Sequence, residues 1–131
     1  MKLYSVKYKA GQKSPGSQKF WRITIDSKYK GDVGLLTHEV RHVLHWWVFV
    51  VLTLALAGAL AMLVEPTYGL IALAAPWAYH WTYRVKALRI LFELDCYRAQ
   101  LRAGGYVDDE FAVKAMVGHG MSASAARDAL E

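Results

Sequence analysis

The sequence predicts a mainly α-helical fold in a single domain of 131 residues. One long helix continues into a two-helix transmembrane hairpin, with a small β-hairpin ahead of it and short helices behind. Three observations carry that expectation. Residues 46–64 are nineteen positions without a charge, and residues 68–83 are sixteen more in which only His80 is ionisable. At about 1.5 Å per helical residue the first run measures roughly 28 Å, close to the apolar thickness of a bilayer. The second falls a little short and would set its aromatic ends in the interface. Neither run has a polar face, unlike a surface helix, and a chain this short has little material to bury both unless it oligomerises.

Residues 1–31 read as the β-hairpin. Segments 3–8 and 20–25 alternate apolar and polar side chains, and the stretch between them, Gly11-Gln12-Lys13-Ser14-Pro15-Gly16-Ser17, is rich in turn formers. Asp32 is the expected N-cap of a helix spanning residues 33–64, since nothing interrupts the pattern before Glu65-Pro66-Thr67-Tyr68-Gly69, a turn by composition. A second helix is expected over residues 68–103, kinked at Pro76 and ended by Gly104-Gly105. In the tail, residues 107–131, a helix is expected over residues 108–117. Another follows to Leu130, capped by Ser122 or Ser124. Trp46 and Trp47 on one span, with Trp77, Tyr79, Trp81 and Tyr83 on the other, would form an aromatic belt at one membrane face.

Charge orients this arrangement. Residues 1–45 hold nine Lys/Arg against three acids, and Arg84, Lys86 and Arg89 follow the second run, whereas the intervening turn carries only Glu65. The positive-inside rule then puts both termini in the cytoplasm, as for a two-span protein of a bacterial inner membrane. Because the charges flank apolar spans, membrane lipid headgroups are the expected partner and nucleic acid is not. Cys96 is the only cysteine, so no intramolecular disulfide can form and no cysteine-based zinc site is expected. The first run lies too deep in the chain for a cleavable signal peptide.

The residues that carry chemistry are His38-Glu39-Val40-Arg41-His42, an HExxH motif. On a helix the two histidines stand about 40° apart around the axis, so both imidazoles can grip one metal ion while Glu39 acts on its water. His45 lies on the same face, one turn on. A zinc site needs a third protein ligand. The hairpin returns the chain to this side of the membrane at residues 91–100, where Glu93 is the expected ligand and Tyr97, one turn later, stands near the water or behind a ligand. Tyr97, His45 or Arg41 could stabilise an oxyanion. Asp95 is expected to pair with Arg98 or Arg102, and His119, between two glycines, to be an exposed loop residue. His80 could meet His45 across the hairpin and hold a haem, although a histidine bonded to backbone or water is the plainer expectation. A chance HExxH is the competing reading, at roughly 1% for a chain with five His and five Glu. The predicted helix and the returning acid weigh against it.

HExxH, an apolar hairpin and then Phe92-Glu93-Leu94-Asp95-Cys96-Tyr97-Arg98 together resemble the gluzincin zinc peptidases, in particular small phage and bacterial HExxH proteins and membrane-bound HtpX-like peptidases. The resemblance spans about residues 33–100. It implies zinc held by His38, His42 and Glu93, with Glu39 as general base in an endopeptidase acting on membrane or juxtamembrane protein segments. Arg41, His45 and Tyr97 depart from the family pattern, which has an apolar residue, a Gln and an Asp there. Two non-enzymatic functions compete: a small phage membrane protein of the holin or lysis-accessory kind, and a structural component of a virion or other assembly. On any of these readings a homo-oligomer or a phage assembly partner is a further expected partner. The tail faintly resembles small helix-turn-helix interaction modules.

Overall fold

The structure is a computed structural model that describes residues 3–131. It is mainly helical with a small sheet at the N-terminal end. Asp32 caps the first helix as the sequence predicts: its Oδ1 accepts from the Leu35 N–H at 2.8 Å, and α1 (Val33–Leu63) runs unbroken for 31 residues. It is the one helix among the described residues long and apolar enough to cross a membrane.

The N-terminal hairpin is replaced by a three-stranded mixed sheet. β1 (Ser5–Tyr8) pairs parallel with β3 (Arg22–Ile25), and β2 (Gly16–Lys19) pairs antiparallel on the other side of β3, in the order β1-β3-β2. Alternation located β1 and β3 but does not report direction. The polar segment of β2 has no apolar face, so it read as loop. Central β3 turns Ile23 and Ile25 onto Leu35 and Val43 of α1, and all four are buried. This packing fixes the sheet beside the first half of α1. The β2–β3 turn places Phe20 at φ +55°, a conformation rare for a bulky residue. Its ring lodges against Trp46 at 5.9 Å, Trp77 at 6.2 Å and His80 at 5.2 Å, which offsets the backbone strain.

The second apolar run is not a transmembrane helix, and the two-helix hairpin is corrected accordingly. Residues Pro66–Ala74 wind as a 3₁₀ helix, followed by a short α2 (Ala75–Thr82). Pro76 explains the change. It has no N–H for the carbonyl of Ala72, which is taken instead by Ala75 in a 3₁₀ bond, so proline starts a new helix rather than kinking an old one. The looser winding has a consequence for length. Nine residues at about 2.0 Å and eight at about 1.5 Å cover about 30 Å, so the segment still runs back along the apolar half of α1.

Nor does the second helix continue to residue 103. Thr82 Oγ1 donates to the Ala78 and Tyr79 carbonyls, the chain turns, and α3 (Lys86–Gly104) begins afresh. It ends where Gly105 adopts φ +61°. α1 and α3 cross closely because Gly34 lacks a side chain: a Cβ there would stand 2.8 Å from Gly104 Cα. α4 (Glu110–Gly118) and α5 (Ala123–Leu130), the latter capped by Ser122, form the tail. Ala112, Val113, Met116, Ala126 and Leu130 bury themselves against Ile90, Leu94 and Leu101 of α3.

Candidate metal centre

The first half of α1 buries a face at helical spacing: Leu35, His38, Glu39, His42, Val43 and Trp46. Opposite it, α3 buries Glu93, Cys96, Ala99 and Gln100. Where the two faces meet, His38 Nε2 and His42 Nε2 stand 3.2 Å apart. Glu93 offers one oxygen to each, with Oε2 3.5 Å from His38 Nε2 and Oε1 3.5 Å from His42 Nε2. Donors about 2.0–2.1 Å from a tetrahedral zinc ion lie about 3.3 Å from one another, so this spacing fits such an ion.

The outer ring nitrogens decide how well the imidazoles are held. His42 Nδ1 shares a 2.8 Å hydrogen bond with Tyr79 Oη; donating it keeps Nε2 free as a lone pair. His38 Nδ1 is buried and has no hydrogen-bond partner among the described residues. Tyr83 Oη donates to Glu93 Oε1. His38, His42 and Cys96 also present atoms within 4.8 Å of one another. Cys96 Sγ, however, lies 3.5 Å from His42 Nδ1, the nitrogen already engaged by Tyr79. Burial also pushes its thiol above the usual range, against the thiolate a metal needs. Glu93 is therefore the better third donor.

Electrostatics set the protonation states. Burial lowers the His42 imidazolium to about 4, against the opposing pull of Glu93. Burial pushes the Glu93 carboxyl up. The hydrogen bond from His38, the charge of His42 and the bond from Tyr83 more than reverse this, to about 2. Neutral imidazole and carboxylate are the forms that bind a metal ion. Glu39 differs, because burial lifts its carboxyl to about 7, with His38 opposing and Glu93 adding.

These groups line a cavity of about 600 Å³ between β2, α1, α3 and the tail. Glu39 faces β2, where a Cβ on Gly16 would overlap its Oε1. Tyr97 also lines the cavity, its ring 4.5 Å from that of His38, edge to face.

Several expectations are corrected. His45 does not face the cavity: its Nε2 lies 3.0 Å from Asp95, its ring 5.2 Å from Phe92. Arg41 also reaches Asp95, at 3.6 Å, so both leave Tyr97 as the cavity-lining member of the three oxyanion candidates. Asp95 thus pairs with these two α1 residues rather than with Arg98, whose Nε donates to the Ala129 carbonyl. His80 packs on Phe20 and Tyr79, not on His45. His119 is no exposed loop residue. The α4–α5 turn brings its Nε2 to 3.8 Å from Glu93 Oε2, and it lines the cavity.

Sequence reasoning placed Tyr79 and Tyr83 in the aromatic belt, whereas they hold His42 and Glu93. Their spacing of four, on a segment returning toward the motif, was the signal available. Phe20 and Trp21 instead pack on Trp46, each with its ring 5.9 Å from it. No family model matches the chain, nor does any curated protein or solved structure.

Proposed function

We propose that the chain is a zinc-dependent endopeptidase working at the cytoplasmic face of a bacterial membrane. The observation that carries this reading is the spacing of His38 Nε2, His42 Nε2 and the Glu93 carboxylate at 3.2–3.5 Å, with Glu39 beside them in one cavity. A structural role alone is a poor account of it. Burying two histidines and two carboxylates costs stability that four apolar residues would not cost. A zinc ion held there supplies Lewis acidity and lowers the pKa of a coordinated water.

The remaining chemistry belongs to the chain. In hydrolysis the amide C–N bond breaks, the water oxygen joins the carbonyl carbon, and a proton passes to the departing amine. Glu39, with a carboxyl poised at about 7, suits both halves of that proton transfer. Tyr97 Oη and His119 are among the cavity's donors that can meet a developing negative charge on the carbonyl oxygen. The apolar half of α1 supports the membrane location: Val48, Val51, Leu52, Leu54 and Leu56 are exposed there.

Zinc content of the detergent-purified protein tests the centre. One zinc per chain is expected in wild type and Cys96→Ala, lost in His38→Ala and Glu93→Ala. Zinc lost in Cys96→Ala and kept in Glu93→Ala would move the third ligand to sulfur. A freshly prepared wild type without zinc would overturn the reading in favour of a non-enzymatic membrane or assembly protein. Glu39→Gln is expected to keep its zinc and lose peptide cleavage by at least about 100-fold.

A further inference from the structure

We infer that the open edge of β2 binds the extended stretch lying just outside a substrate's own membrane helix, and that it sets the cleaved bond about four residues from the bilayer. This rests on the peptidase reading above and names its substrate class. β2 is paired on one side only. The Pro15 carbonyl accepts from the Asp26 N–H at 2.9 Å. Backbone groups of successive residues alternate sides along a strand, so those of Gly16 and Gln18 face the open edge. The Ser14 hydroxyl, 2.7 Å from the Gly16 carbonyl, agrees with that direction.

The open edge borders the same cavity as His38, Glu39 and Glu93. Gly16 stands directly against Glu39, since any side chain there would overlap the carboxyl group. An extended peptide added to this edge gains main-chain hydrogen bonds whatever its sequence. Its register against Gly16 decides which bond meets Glu39.

The far end of the strand fixes the distance. The Phe20–Trp21 turn closes β2 against Trp46 and Trp77, at the level where the apolar run of α1 begins. From Gly16 to Phe20 is four residues, about 13 Å of strand. Along α1, Glu39 to Trp46 is seven residues, about 10 Å of rise. Two separate elements thus put the carboxyl group at a similar depth below the aromatic belt. A substrate helix held in the bilayer beside this belt delivers its first extended residues onto β2 and the fourth or so onto Glu39.

A binding measurement tests the edge without activity. Gln18→Cys in a Glu39→Gln chain is reconstituted in liposomes with synthetic single-span peptides, each with one cysteine at a different position beyond the span. Disulfide yield with oxidised glutathione is expected to peak for a cysteine about two residues out, at least fivefold above one eight residues out. The chain without Gln18→Cys is the control, because Cys96 is buried. A flat profile overturns the inference. With zinc-loaded wild type, spacers of two and four residues next to the span are expected to leave the cut, mapped by mass spectrometry, at a constant distance from the bilayer. A cut that moves outward with the sequence overturns the ruler and leaves the peptidase standing. Failure to cut any tail sinks the peptidase reading itself, while the cross-link profile still reports on the edge.

Discussion

Residues 33–46 of α1 bury six side chains, whereas residues 47–63 bury only Ala57. The helix winds the same way throughout, so the contrast comes from what surrounds it. The sheet, α3 and the tail gather about the first half. The second is covered along one side by residues 66–82 and leaves Leu52, Leu56, Met62 and Leu63 open. An apolar half this exposed is stable only against another apolar phase, while the polar half is stable only with its buried groups partnered. On the proposed reading one helix joins a chemical site to a location, and the change of surroundings falls at Trp46, whose Nε1 donates to the Pro76 carbonyl.

The strongest way to break this comparison is to put charge into the apolar half. Leu52→Arg with Leu56→Arg is expected to cost about 3 kcal/mol per site, about 6 together, if that half lies in a bilayer. The chain would then move from the carbonate-resistant membrane pellet to the soluble fraction. If the half faces water or loose protein contacts, each exposed change stays within about 0.5 kcal/mol and the fractionation does not change.

A smaller effect sharpens the other side, because only the first half buries groups that titrate near neutrality. In metal-free protein Glu39 has its folded-state value raised from 4.5 to about 7, so the folded form holds this proton more tightly. Its contribution to stability is complete below about 4.5 and is lost as pH rises through about 7. His42 runs oppositely: lowered from 6.5 to about 4, it penalises the fold as pH falls through that window. The two slopes largely cancel in wild type. Glu39→Gln removes one of them, so its stability relative to wild type is expected to grow by about 3 kcal/mol between pH 4.5 and 7. Thermal unfolding of the chelated proteins in detergent reads this. A constant offset across the range would mean that Glu39 is solvated and its cavity does not hold it.

How much of this was legible in the sequence follows from the range of each signal. Asp32, the uninterrupted helix and the HExxH spacing are local, and all three are in place. Glu93 needed one long-range step, the return of the chain, and it stands within 3.5 Å of both histidines even though the return is not the helix expected. What failed depended on partners far apart in the chain. Hydropathy cannot distinguish a 3₁₀ segment from an α-helix, so the missing N–H of Pro76 counted only as a kink. β2 has no apolar face because its role is at an edge. His119 reaches Glu93 only because the tail packs on α3, through Met116 and Leu130, which no local pattern around residue 119 reveals.

The smallest effect tests whether the site half depends on its own end. Asp32 Oδ1 accepts from the Leu35 N–H and from Tyr106 Oη, at 2.8 and 2.7 Å, and Gln100 Nε2 donates to the same Tyr106 oxygen at 3.1 Å. This chain ties the first turn of α1 to α3 one and a half turns before His38. Asp32→Ala removes the cap and a hydrogen bond and is expected to cost about 1–2 kcal/mol, whereas Asp32→Asn keeps an accepting oxygen and loses about 0.5. Amide exchange locates the loss. Residues 33–38 are expected to exchange faster in Asp32→Ala with residues 47–63 unchanged, because the apolar half draws its stability from its surroundings rather than from the cap. Equal losses in Asp32→Ala and Asp32→Asn would instead assign the effect to charge at the helix N-terminus. Faster exchange along the whole helix would show that the two halves unfold as one unit and that the contrast between them is not an energetic boundary.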